Sequence, residues 1–222
     1  MRKSHHPNTL FRPPAAGAAA MPGSMIFLFL LGLPLHAQRQ PPLYDSHQPI
    51  VTYISEEQRG NRPEDRMLAE WALRAWSNAS RGALQFRIGR KENSRLRVYW
   101  VGGQSGLYGE TRQSTLDGRR VAEVFVRPEI EDLGDEIDAR ARVDSLFRDT
   151  VVYLTCLHEI GHALGLDHTA NYEDIMFYFG YGGDILNYFQ RYRRRLQRRG
   201  DIAQHWGLSQ SDIARIRELY PP

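Results

Sequence analysis

Cys156 is the only cysteine in a chain of 222 residues. An intramolecular disulfide is therefore excluded, and the fold must rest on its apolar core and any bound metal. Long apolar runs are scarce too. The one candidate, Met25 to Leu35 (MIFLFLLGLPL), falls short of the about 20 residues that cross a bilayer, and Pro34 interrupts it. Lysine is nearly absent, so the basic residues are almost all arginine. The net charge is only +3, and Arg2, Lys3 and Arg12 account for it, since past residue 37 there are 26 Lys+Arg against 26 Asp+Glu. Affinity for nucleic acid or membrane therefore has no support from overall charge, only from local clusters. Internal repeats, low-complexity segments and a phosphate-cradling glycine pattern are missing as well. The length suits one compact domain with appendages.

What is present begins with a leader. Basic residues precede the apolar run, and Leu35-His36-Ala37 offers a small residue at a cut before Gln38, which is the pattern of a signal peptide. The expected organisation is a signal peptide over residues 1–37, a short linker over 38–48 and a catalytic domain over 49–222. The product would be secreted or periplasmic, and no cysteine follows the cut to carry a lipid anchor.

Beyond a proline-rich joint, Ile50 to Ser55 reads as a strand. A helix follows: Pro63, Glu64 and Asp65 suit its first turn, Met67, Leu68, Trp71, Ala72, Ala75 and Trp76 recur at helical spacing, and Asn78 and Gly82 stop it. Arg95 to Val101 and Val121 to Arg127 are further strands. The glycine-rich stretch between them, Gly102 to Gly118, reads as a loop with a short strand around Leu107 to Thr111. Acids crowd Glu129 to Asp138 ahead of a helix predicted over about Ala139 to Leu164, where they complement its positive end. Calcium is the alternative use for them, although the spacing of a calcium loop is absent.

Residues 158 to 168 read HEIGHALGLDH. On a helix His158 and His162 share a face and can share an ion, with Glu159 beside them. An open zinc site takes three protein ligands and leaves a position for water. Gly165 can adopt the left-handed conformation that ends the helix and returns His168 to the metal. With all five residues fixed, chance produces this match on the order of once in millions of positions.

This segment resembles the metzincin clan of zinc peptidases, most closely the matrixin family. Met176 in YEDIMF, eight residues after His168, matches the family's Met-turn. AEWALRAWSNASRGALQF resembles its first helix and the strand entry, and LSQSDIARIRELY its closing helix, so the likeness runs from about Pro49 to Tyr220. It implies an α+β zincin fold: a mixed twisted sheet, a long active-site helix, a Met-turn and a C-terminal helix. It also implies a zinc endopeptidase that cleaves protein or peptide substrates, with His158, His162 and His168 on the metal and Glu159 as general base, acting as a monomer without nucleic acid.

Three departures stand out. Only His47 and His205 remain outside the motif past the leader, too few for the structural zinc of animal matrixins, so one zinc is expected. No inhibitory propeptide cysteine is present. Cys156 points about 200° away from His158 around the helix, which predicts a buried, inert thiol. Phe177 and Tyr178 stand where matrixins carry Tyr-Pro, and Tyr178 matches a tyrosine that assists at the metal in astacins and serralysins. By the same analogy, Val121 to Arg127 is the expected edge strand for substrate.

Residues 181–207 form an insertion relative to matrixins. Ile185, Phe189, Tyr192 and Leu196 repeat at helical spacing, and Arg191, Arg193, Arg194, Arg195, Arg198 and Arg199 cover the rest. These arginines suit a solvated face, pairing with the acids of Glu129 to Asp138, or an exosite for an anionic partner. The rival to the enzyme is a catalytically weak zinc-binding protein that interacts through this face.

Overall fold

In a computed structural model, residues 8–9, 44–45, 48–56, 60–102, 108–130 and 134–221 are described. The apolar run Met25 to Leu35 lies outside them, as do residues 131–133 of the acidic run. Five strands form the body of the sheet: β2 (Ile50–Ile54), β3 (Phe86–Ile88), β4 (Leu96–Trp100), β5 (Gly109–Leu116) and β6 (Arg119–Val126). Their spatial order is β5-β6-β4-β2-β3, and the short β1 (Asn8–Thr9) lies antiparallel on the outer side of β5. All pairings from β6 to β3 are parallel, whereas β5 runs antiparallel to β6.

That order corrects two expectations. The loop predicted across most of residues 102–118 is, from Gly109 onward, a long strand of a hairpin. Asp117 and Gly118 both take positive φ, +50° and +74°, the twist that a two-residue Asp-Gly turn supplies to antiparallel strands. The expected substrate edge is also displaced. Val121 to Val126 is covered on both sides by β4 and β5, so β5 carries the edge beside the helices.

Alternation places Ile50, Thr52, Ile54, Leu96, Val98, Trp100, Val124 and Val126 on one buried face. The other face holds a half-buried ladder of Tyr53, Tyr99 and Phe125. Two helices pack on the buried face: α1 (Asp65–Ala79) and α3 (Ser145–Ala163). Trp76, fully buried, donates its indole N–H to Leu157 O at 2.9 Å and so ties α1 to α3. The predicted stripe on α1 is thus core, although Met67 at its edge stays exposed.

The single helix expected from Ala139 is broken in two. α2 (Asp135–Val143) stops at Asp144, whose backbone turns to an extended φ of −136° while its side chain accepts from Phe147 N at 3.0 Å. Asp144 therefore caps α3, which is buried along nearly its whole length. The acids of α2 do precede a helix, as expected.

α4 (Ile185–Arg193) and α5 (Gln210–Leu219) complete the fold. Phe189, Tyr192 and Leu196 are buried and Ile185 half-buried, as their spacing predicted. Four of the arginines pair, among the described residues, with acids outside Glu129 to Asp138. Arg193 Nε lies 3.0 Å from Asp144, Arg199 Nε 2.7 Å from Asp149, Arg191 2.9 Å from Glu173 and Arg198 3.3 Å from Asp201. Arg199 also lies over the ring of Trp71 and donates to Glu64 O. Much of the basic face is therefore a strap that fastens α4 and its following turn to α1 and α3.

Candidate metal centre

α3 delivers His158 and His162 one turn apart, with Nε2 atoms separated by 3.0 Å. The helix ends two residues later in a Schellman turn: Leu166 N donates to Gly161 O at 3.0 Å and Gly165 N to His162 O at 3.0 Å. Gly165 holds φ at +101°, a conformation that side chains resist. The reversal brings His168 Nε2 to 3.1 Å from His162 Nε2. Of the His, Cys, Asp and Glu side chains among the described residues, these three form the group that could hold a metal ion.

Hydrogen bonds assign the tautomers. His158 Nδ1 lies 2.6 Å from Ile175 O, and His162 Nδ1 lies 2.8 Å from Leu166 O. A carbonyl only accepts, so each Nδ1 carries the proton and each Nε2 presents a lone pair to the other. Converging lone pairs repel unless a cation lies between them. Tetrahedral zinc with its usual N–Zn length separates nitrogens by about 3.3 Å, close to the spacing here. Burial is the main influence holding the ring pKa values below the usual histidine range, that of His162 down to about 3. Neutral imidazole is the ligating form. Three nitrogen donors of this kind fit zinc.

Glu159 is fully buried beside this group. Its Oε2 lies 2.7 Å from Thr111 Oγ1, which also lies 2.8 Å from the Glu159 carbonyl oxygen, while Oε1 has no hydrogen-bond partner. Burial pushes its carboxyl well above the ordinary glutamate range, the Thr111 hydrogen bond pulls it down and Glu110 pushes it up. Thr111 belongs to β5, and its neighbours on the same face also meet α3. Gln113 donates to His162 O at 2.8 Å, and a Cβ at Gly109 would lie 2.7 Å from Glu159 Cγ. Sequence spacing gave no hint of Gly109, Thr111 or Gln113 beyond a short strand near two of them.

Met176 is fully buried and packs against Gly161 of the motif. A Cβ at Gly161 would sit 2.5 Å from its Sδ, so a helix-weakening glycine inside the motif makes room for the sulfur. Gly161→Ala is expected to destabilise by about 1–3 kcal/mol through overpacking, despite alanine's better helix propensity. Thermal unfolding checks this, and a variant as stable as wild type would contradict the packing. The turn is braced from α5. Asp212 Oδ2 accepts from Ile175 N at 2.8 Å and Ser209 N at 2.9 Å, and Asp174 accepts from Ser209 Oγ at 2.7 Å and Ser211 Oγ at 3.1 Å. Asp212 and Ser209 also make a reciprocal capping box at the start of α5. The Ser-x-x-Asp pattern could have marked that cap from sequence, but not its hold on the Met-turn.

Tyr178 packs its ring on His168, with centroids 4.8 Å apart, in space left by Gly180. Cys156 is fully buried, and burial raises its thiol pKa, so it is the inert core residue predicted from its helix angle.

The sequence model of the family described as Matrixin, the M10 peptidases, matches residues 46–184. Comparison with curated proteins finds no match.

Proposed function

The chain belongs to the matrixin family, and from that premise we propose that it is a secreted zinc endopeptidase with Glu159 as its general base. Membership makes it a metallopeptidase of the zinc-binding kind. Three converging imidazole nitrogens, two of them on rings whose Nδ1 protons are turned outward onto Ile175 O and Leu166 O, carry the reading.

His158, His162 and His168 would hold the ion. Zinc there supplies Lewis acidity, polarising a peptide carbonyl and making water nucleophilic near neutral pH. Glu159 takes the proton from the attacking water on its carboxylate and hands it to the departing amine. β5 would support an extended substrate along its outer edge, where Asn8–Thr9 pairs antiparallel with Glu110 and Thr111 in this structure. Removal of the leader would vacate that edge. Tyr178, set against His168, is assigned a hydrogen bond to the substrate's developing oxyanion.

The rival interaction protein needs an open arginine face. Arg191, Arg193, Arg198 and Arg199 are each engaged by an acid of the same chain, which favours the enzyme. An anionic partner would work through the exposed Arg194, Arg195 and Arg198, the last of which also pairs with Asp201. The deciding experiment is metal analysis of the purified protein together with cleavage of an unfolded protein. One zinc per chain is expected, with cleavage lost to a chelator and restored by zinc. Bound zinc without cleavage would favour the interaction protein, and absence of zinc would sink both readings.

A further inference from the structure

The side chain that handles protons in a buried site must be aimed as well as present, because a carboxylate can turn about two torsions and offer either oxygen. Glu159 is held from β5. Thr111 is only 3% exposed, and its hydroxyl lies within hydrogen-bonding distance of Glu159 at two points, Oε2 at 2.7 Å and the main-chain oxygen at 2.8 Å. The single hydroxyl proton is shared between these two acceptors of one residue, so the hydroxyl fixes the side chain relative to its own helix. Two residues back on the same face of the strand, Gly109 leaves the space that Glu159 fills. A Cβ there would stand 2.7 Å from Cγ and 2.9 Å from Oε1, closer than real contacts allow. Oε2 is thereby tethered, and Oε1 is left as the oxygen without a hydrogen-bond partner.

We propose that Thr111 is a positioning residue for catalysis: its hydroxyl tethers Glu159 Oε2 so that Oε1 faces the reacting water, in a space kept open by Gly109. The inference rests on Glu159 being the base. Because β5 also carries the edge assigned to substrate, one strand sets both the substrate's register and the base's aim. Neither residue touches the histidine nitrogens in any hydrogen bond of the centre, so zinc affinity is unaffected by loss of the hydroxyl.

The test compares Thr111→Val, which keeps the branched shape without the hydroxyl, with Thr111→Ser, which keeps the hydroxyl. In Thr111→Val, kcat is expected to fall between about 10-fold and 100-fold, the range for losing a supporting hydrogen bond, while KM stays within about twofold and zinc content is unchanged. Thr111→Ser restores most of the loss. A crystal structure of Thr111→Val is expected to show the Glu159 carboxylate displaced or in two positions. Glu159→Gln serves as the control that separates the two readings. If it remains active, the base assignment has failed. If it is inactive while Thr111→Val keeps kcat within about twofold of wild type, Thr111 has no positioning role. Equal losses in Val and Ser, or an activity loss that tracks zinc loss, would also overturn the inference. Should Thr111→Val not fold, Thr111→Ala takes its place. Failure of both to fold would make the hydroxyl structural and overturn the positioning role.

Discussion

Glu159→Gln is expected to lower kcat by between about 10²-fold and 10⁴-fold, the span that a general base contributes, while zinc stays bound. The carboxylate meets Thr111 rather than the converging nitrogens, so its replacement removes proton transfer and leaves the ligands alone. Loss of a histidine should do the reverse and release the metal, taking some stability with it. Stopped-flow or discontinuous cleavage assays, with elemental analysis on the same sample, separate the two. Near wild-type turnover in Glu159→Gln would remove Glu159 from the mechanism. A stability effect accompanies this. The folded-state pKa of Glu159 is raised, so the folded chain holds a proton that the unfolded chain has released. Stability of the metal-free protein therefore falls as pH rises from the ordinary glutamate value toward the raised one. Glu159→Gln has no such charge to bury and should be flatter across that window, as chelator-treated samples melted over a pH series would reveal.

Arg148→Ala carries the largest expected loss of stability, about 3–5 kcal/mol, because it strands a buried carboxylate. Arg148 spans both oxygens of Asp65, with NH2 to Oδ2 at 2.7 Å, and reaches Pro128 O at 3.0 Å. The side chains of Arg148 and Asp65 are 6% and 0% exposed. Neither charge has water to fall back on. The pair joins the start of α1 to the first turns of α3, and Asp149 extends it to Arg199 and the strap beyond α4. Arg148→Met should lose nearly as much, since it keeps bulk but still leaves Asp65 unpaired. Adding Asp65→Asn, which preserves an acceptor for the Arg62 N–H now 2.8 Å from Asp65 Oδ2, should recover a large part. Denaturant unfolding measures all three, and a loss below about 1 kcal/mol in Arg148→Ala would show that the pair is not needed.

The two effects lie on different parts of the molecule for a physical reason. Glu159 is a buried carboxylate without a cationic side chain against it among the described residues, a cost that the proposed role as base would explain. Asp65 is a buried carboxylate with one, and there the partner is structural. Burial alone does not distinguish them. The neighbours do.

The sequence by itself determined the centre. Helical period puts His158 and His162 on one face, a left-handed glycine reverses the chain, and the order of His158, Glu159, His162, Gly165, His168 and Met176 marks the three candidate ligands, the proposed base and the Met-turn. These are local relations, set by dihedral angles over one or two turns, and they need no knowledge of the rest of the fold. The core stripe of α1 and the buried side of α4 were legible on the same ground, that of period. Two further local signals lie in the sequence: Asp117-Gly118, whose turn makes β5 a full strand, and Asp144, which splits α2 from α3 as a cap. What only the tertiary structure decided is which distant residues meet. That β5 rather than β6 takes the edge depends on strand order, which period does not encode. Thr111 reaching Glu159 across 48 positions, Asp212 holding the Met-turn, Arg148 closing on Asp65 and the arginines fastening to Asp144 and Asp149 are long-range pairings. Each is selected by the cost of leaving a buried polar group alone, and a cost of that kind appears only once the chain has closed around it.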